Sequence, residues 1–237
     1  MRNLLTITVL LFSSMMLHAQ DFGLSFSYFI PKNGYFSTPV SPFSIRGIGV
    51  NLTDFLALET GASLYRMSGL NVKDLPFESI DPLVGPNFTI FIPAELVIQL
   101  KGSNVQFDIK GGGFFFYGFS QHILYGNLDR AMRTFYNQEV LNANLAFENK
   151  PGFGYHAGME LTFYVTNQVG ISLESNYLMG ASAFPLSGSY IASANSVTET
   201  VPVNYPDAKI DLTGFEFSIG LIFSSGGGGS YPKKRRR

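Results

Sequence analysis

The chain contains no cysteine and no tryptophan. Without cysteine there is no disulfide, no thiolate metal site and no cysteine nucleophile. A lipoprotein signal is excluded too, because no thiol is available to acylate. Charge is scarce, with Asp, Glu, Lys and Arg making up 14% of 237 residues, so the strands that follow are written mostly in apolar and small polar residues. Beyond the first twenty residues there is no run of about 18 apolar residues, which excludes a second transmembrane helix. The net charge of −1 hides an asymmetry. Five of the basic residues are Lys233 to Arg237, and residues 21–232 hold ten basic against seventeen acidic side chains. An acidic body with a short basic tail is not a nucleic-acid binder.

Phe, Tyr and Gly are abundant, at 23, 12 and 25 residues. The N-terminus reads as a secretory signal peptide over residues 1–20. Arg2 supplies the positive start, Leu4 to Leu17 the apolar stretch, and Leu17-His18-Ala19-Gln20 a cleavage site with small Ala19. An N-terminal membrane anchor is the competing reading, but the apolar stretch is short for a span of about 20 residues. Export of a chain that crosses an oxidising compartment unfolded also fits the absence of cysteine.

Alternation with period 2 recurs eight times after that segment. The strands are expected at Phe22–Ile30, Phe43–Leu52, Phe55–Met67, Phe88–Leu100, Val105–Tyr117, Gly154–Val165, Val169–Met179 and Ile210–Phe223. One face of each is apolar, as in Phe215, Phe217, Ile219, Leu221 and Phe223. The other carries Gly, Ser and charge, as in Glu216, Ser218 and Gly220. Pro93 inside the fourth strand predicts a bulge or a break in pairing. Thr53-Asp54, Lys101 to Asn104 and Thr166 to Gln168 are tight turns, whereas residues 31–42, 68–87, 118–153 and 180–209 are long loops. Alternating short and long connections belong to an up-and-down membrane barrel, with short periplasmic turns and long extracellular loops. A soluble lipocalin-type barrel has similar strand counts, but its core would have to bury Glu59, Glu95, Asp108, Lys110, Glu160, Glu174 and Glu216, at prohibitive cost. The expected fold is therefore all-β: an eight-stranded antiparallel up-and-down transmembrane β-barrel over residues 21–223. Residues 1–20 precede it as signal peptide, and residues 224–237 follow as a flexible basic periplasmic tail.

This arrangement and the final strand resemble the eight-stranded outer-membrane barrels of the OmpA/OmpX type. The signal ending in His18-Ala19-Gln20 and the strand opening at Phe22 resemble the Bacteroidota version, including PorT-like barrels. The aromatic alternation from Phe215 to Phe223 looks like a terminal β-signal for the barrel-assembly machinery, but residues 224–237 follow it, whereas in the family the aromatic is the last residue. The resemblance implies residence in the cell outer membrane, both termini periplasmic, and the lipid bilayer as the main contact.

Three sets of residues are candidates for function. Glu59, Glu95, Asp108, Lys110, His156, Glu160, Glu174 and Glu216 share the inward face and form an interior charge network in the lower half of the barrel. Arg46 and Arg66 are candidate basic contributors from the upper half, although Arg66 has lipid-facing parity. The network is either a structural plug, since an eight-stranded interior only just accommodates side chains, or a narrow cation path. His156 with Ser and Glu neighbours also has the residue types of an outer-membrane hydrolase, but one inward histidine among many serines is a weak motif, so no enzyme activity is expected. No motif for a cofactor or a metal is present, and neither is expected. The second set lies in the third long loop. Asn127-Leu128-Asp129 caps an expected helix over Arg130 to Leu145, with Leu128, Met132 and Phe135 near one face. It is either a helix folded over the mouth or a docking surface for a protein partner. The third set is Lys233, Lys234, Arg235, Arg236 and Arg237, which follow a Gly-Gly-Gly-Gly-Ser run. They are either an artificial linker scar or a periplasmic contact for anionic lipid or an acidic partner. Together these features predict a non-enzymatic scaffold or accessory subunit of an outer-membrane assembly, secretion or uptake complex. A small porin or stand-alone ligand-binding surface barrel is the alternative.

Overall fold

The computed structural model describes residues 21–38, 44–194 and 197–224. The signal peptide expected over residues 1–20 and the basic run Lys233 to Arg237 lie outside the described residues. In chain order the elements are β1 (Asp21–Pro31), β2 (Gly34–Thr38), β3 (Ser44–Asn51), β4 (Leu56–Leu70), β5 (Val72–Lys73), β6 (Asn87–Lys101), β7 (Val105–Phe119), α1 (Tyr125–Tyr136), β8 (Val140–Phe147), β9 (Gly152–Tyr164), β10 (Val169–Ala183), β11 (Leu186–Ala194), β12 (Val197–Tyr205), β13 (Lys209–Asp211) and β14 (Gly214–Ser224).

Eight of these strands close into a barrel. Each of β1, β3, β4, β6, β7, β9 and β10 pairs antiparallel with the next, and β14 pairs with both β10 and β1. The eight strands expected from the alternation are the eight that form the wall. The last differs at its start, because Ile210 belongs to the separate short strand β13 and β14 opens at Gly214. Closure gives every wall strand a partner on both sides, which is the condition for β-structure to stand in lipid. Asp21 lies opposite Ser224, and the Ser224 N–H donates to the Gln168 carbonyl at 2.9 Å. The start of β1, the end of β14 and the tight turns therefore share one end of the barrel.

The wall is inverted relative to a soluble protein. Along β1, Leu24, Phe26 and Tyr28 are exposed while Ser25 and Ser27 are buried; along β14, Phe217 is 46% exposed and Glu216 is 0%. An apolar belt outside and polar residues within is the polarity of a transmembrane barrel. Among the described residues no helix is long and apolar enough to cross a membrane. Two irregularities meet on β4. Pairing with β3 slips between Ile45 and Ile48. Pairing with β6 lapses between Thr60–Ala94 and Ser63–Phe91, where Pro93 has no N–H to give. The Thr60 hydroxyl donates to the Pro93 carbonyl at 2.6 Å and covers that acceptor.

At the opposite end the long connections fold into a cap. β2 extends the pairing of β4, β5 joins β13, and β13 joins the top of β10. β8, β11 and β12 form a separate three-stranded sheet. The helix in the third loop runs over Tyr125–Tyr136 rather than Arg130 to Leu145. Asn137, in the left-handed conformation, ends it by donating its N–H to the Arg133 carbonyl. Leu141 and Leu145, four apart, fit a helical stripe, but with Ala143 between them they also fit one face of a strand, and they occupy β8. Asn127 and Asp129 do not cap the helix. The Asn127 amide donates to the Pro82 carbonyl, and Asp129 accepts the Ala143 N–H, tying helix to sheet.

Ile219 stands midway along β14 on the lipid face. Ile219→Arg should cost about 2–4 kcal/mol of folding free energy in bilayers. Urea titration of the refolded protein in lipid vesicles measures this; an unchanged midpoint would mean that this face does not contact hydrocarbon.

Candidate functional site

The barrel interior collects its charges by strand parity. Glu59 and Tyr65 come from β4, Glu95 and Gln99 from β6, Asp108 and Lys110 from β7, His156 and Glu160 from β9, Glu174 and Asn176 from β10, and Glu216 from β14. Arg46 joins them from β3 and is 3% exposed. Arg66 points the other way and is exposed.

Two cations organise this set. The Lys110 ammonium contacts Glu160 and lies 3.4 Å from Glu174 and 3.9 Å from Glu95. The Arg46 guanidinium contacts Glu216, lies 3.9 Å from Glu95, and stands over the Phe91 ring at 5.8 Å. Glu216 also accepts from the Tyr65 hydroxyl and, at 2.7 Å, from the Asn176 amide, which donates to Glu174 at 3.0 Å as well. Glu59 and Asp108 are met by amides rather than bases. Glu59 accepts from Gln99 at 3.4 Å, and Asp108 accepts from Gln106 at 3.0 and 2.9 Å. Among the described residues the interior therefore holds six carboxyl groups against two fixed cations.

Missing side chains make this packing possible. In the ladder Lys110 faces Gly158, which faces Asn176. A Cβ on Gly158 would stand 1.8 Å from the Asn176 amide oxygen, so a side chain there would fill the space through which Lys110 reaches Glu174. Gly112 plays the same part between Glu95 and His156, and a Cβ on it would meet the Ala94 carbonyl at 2.0 Å. Above the charges the bore is aromatic. Phe29, Phe91, Phe114 and Phe116 are buried there, continuous with Leu128, Met132 and the other apolar residues under the cap. The interior is thus filled from the charge network to the mouth.

The cap is locked at its own level. Tyr136 stacks on Tyr190 with centroids 5.0 Å apart, and its hydroxyl lies 3.1 Å from that of Tyr205. Burial, reinforced by that hydrogen bond, pushes the Tyr205 phenol well above its ordinary value. Outside, Lys209 pairs with Asp74 at 2.7 Å and Lys73 with Asp211 at 3.2 Å. The Lys209 hydrogen bond holds the exposed Asp74 carboxyl below the usual carboxylate range.

The docking residues expected on the helix need correction. Leu128 and Met132 are 1% and 0% exposed and pack into the apolar core beneath the cap. Burial removes them from any partner surface. Phe135 is half-exposed and rests against Phe77 and Tyr136. His156 Nε2 lies 3.8 Å from Glu95 and makes no hydrogen bond among the described residues. His122 is exposed on the mouth, with Nδ1 against the Ser120 carbonyl. Among the described residues no group of three or more His, Asp or Glu is arranged to hold a metal ion. Tyr65 and Asn176 belong to the network although they carry no charge, and the parity they share with the acids is the signal that finds them.

The sequence matches no family model and no curated protein. Among solved structures, the outer membrane protein OprG from Pseudomonas aeruginosa superposes with a TM-score of 0.51 at 10% identity, over 87% of this chain and 96% of that one. At this identity the likeness shows the barrel fold alone. A major outer membrane protein of Thermus thermophilus (TM-score 0.40, 12% identity, 87% of this chain and 99% of that one) and Ail of Yersinia pestis (0.37, 9%, 86% and 94%) also match, too loosely to carry argument.

Lys110→Met should destabilise the barrel by about 3–5 kcal/mol, because it leaves Glu160 and Glu174 buried without their cation. Urea unfolding of the variant in detergent or lipid reads this directly. A change within error of zero would show that the network contributes no cohesion.

Proposed function

We propose that this chain is a non-enzymatic outer-membrane barrel, exported through a cleaved signal peptide over residues 1–20, that serves as a scaffold or accessory subunit of an outer-membrane assembly, secretion or uptake complex. One observation carries the reading: the bore is filled from its charge network through its aromatic layer to the cap. An eight-stranded wall packed in this way leaves no lumen to work with, so function falls to surfaces. The cap supports this. It is a folded sheet and helix with its own apolar core and tyrosine lock, far more structure than is needed to join strands. The aromatic alternation of β14 supports insertion by the barrel-assembly machinery, and the sequence His18-Ala19-Gln20 with a strand at Phe22 supports a PorT-like relationship. In this orientation the tight-turn end faces the periplasm. The basic run Lys233 to Arg237, outside the described residues, would extend from the same end as Ser224.

A second reading is a stand-alone surface barrel that binds a ligand. It draws on a polar cavity of about 460 Å³ at the loop end, lined by Asn33, Asn71, Asp74, Glu78 and Ser79 among others. Purification from native membranes in mild detergent separates the two. The scaffold reading expects stoichiometric partner chains that are lost when the basic run is deleted. A strictly monomeric barrel under those conditions would overturn it and leave the surface-binding reading.

A further inference from the structure

Two buried groups converge on one buried carboxyl oxygen inside the bore. Glu95 Oε1 lies 3.8 Å from His156 Nε2 and 3.9 Å from Arg46 Nη1. All three atoms are buried, and none has a hydrogen-bond partner among the described residues. Glu95, His156 and Arg46 are 3%, 5% and 3% exposed, so bulk water does not serve them. Leaving such groups unmatched is unfavourable, and more so for charged ones. Their alignment is built into the wall. Glu95 and His156 stand on β6 and β9 with Gly112 of β7 between them in the ladder, so no side chain screens one from the other. The Phe114 ring stands edge-on to His156 at 6.1 Å and adds an apolar wall.

The charges around the pair set what it lacks. Lys110 on β7, Arg46 on β3, Glu160 on the same strand as His156, Glu174 on β10, Glu216 on β14, Glu59 and Tyr65 on β4 all face this space. Among the described residues six carboxyl groups and one imidazole share two fixed cations here, so the set has room to take up a proton. From this geometry we infer that the barrel interior is a proton-binding site, in which one proton from solution is shared between His156 Nε2 and Glu95 Oε1. The proton makes the missing N–H···O contact, whether written as imidazolium and carboxylate or as imidazole and carboxylic acid. Either form adds one positive charge and releases nothing. Closing the gap from 3.8 Å to the roughly 2.7–2.9 Å of a charge-assisted hydrogen bond draws β6 and β9 together across the glycine. The barrel is then held more tightly when the site is loaded.

The sign follows from linkage. In the unfolded chain the imidazole releases its proton near about pH 6.5 and the carboxyl near about 4.3. A proton that the folded pair shares and the unfolded chain does not hold is released on unfolding, so under this proposal stability falls as pH rises above those values. Over that window the unfolding equilibrium constant should grow by up to about tenfold per pH unit.

The test uses the full chain refolded in detergent micelles, with ¹⁵N-labelled histidine followed by NMR from pH 5 to 9. Exposed His122 is the internal reference. The His156 ring nitrogens should titrate with a midpoint distinct from that of His122. Glu95→Gln should shift that midpoint by at least a unit and leave His122 unmoved. Urea unfolding at each pH should lose about one proton of linkage in Glu95→Gln and in His156→Phe. If neither variant refolds, the wild-type titration and its own stability slope still decide. His156 resonances that stay constant over this range would overturn the proposal. So would a His156 midpoint unchanged by Glu95→Gln, or a wild-type stability that does not fall with pH; these are the results expected of a bridging water or a metal cation instead of a proton.

Discussion

A peptide group facing hydrocarbon without a hydrogen-bond partner costs several kcal/mol, and a strand has such groups along both sides. Every other feature of this chain is arranged around that constraint. β14 satisfies it by pairing residue for residue with β10 on one side and β1 on the other. Once the sheet is closed, alternate side chains must divide between lipid and bore. Where the ladder lapses, at Pro93 and at the slip between Ile45 and Ile48, a side chain covers the exposed acceptor or the irregularity is confined to a few residues.

Closure at eight strands fixes how much the bore can hold, and the chain fills it in two layers. Near the tight-turn end it uses charge, with Lys110 and Arg46 each serving several carboxylates and amides serving the rest. Toward the mouth it uses rings. Glycines make the first layer possible, since Lys110 reaches Glu174 across Gly158, and Glu95 sees His156 across Gly112. Small residues inside the wall are therefore part of the electrostatics, because they set which charges meet. Losing any one partner leaves buried charge behind, which is why the network behaves as a unit.

The wall was legible because period 2 and turn length are local properties. Leu24, Phe26 and Tyr28 against Ser25 and Ser27 announce a strand and its two faces without knowledge of any neighbour. Parity also gathers the inward acids, and it assigns Arg66 to the outside. What the chain did not disclose locally is which inward groups touch. The pairing of Lys110 with Glu160 depends on register between strands some fifty residues apart. The cap was the least legible part. Its strands are short, their partners come from different loops, and Leu141, Ala143 and Leu145 fit a helix and a strand equally well until β11 is beside them. Leu128 and Met132 were visible as an apolar stripe, but a stripe does not say whether it faces a partner or the chain's own core.

The cap and the bore together make a closed wall, an interior packed with charged and aromatic side chains, and a folded platform at one end. In the proposed function, that combination leaves the outer surfaces of the loops as the place for contacts. The central claim is that the bore is a packed interior, and recording from purified protein in planar lipid bilayers tests it most directly. The account predicts a quiet baseline with no discrete conductance steps at any voltage the bilayer tolerates. Reproducible single-channel steps of the intact, cap-bearing barrel would contradict it.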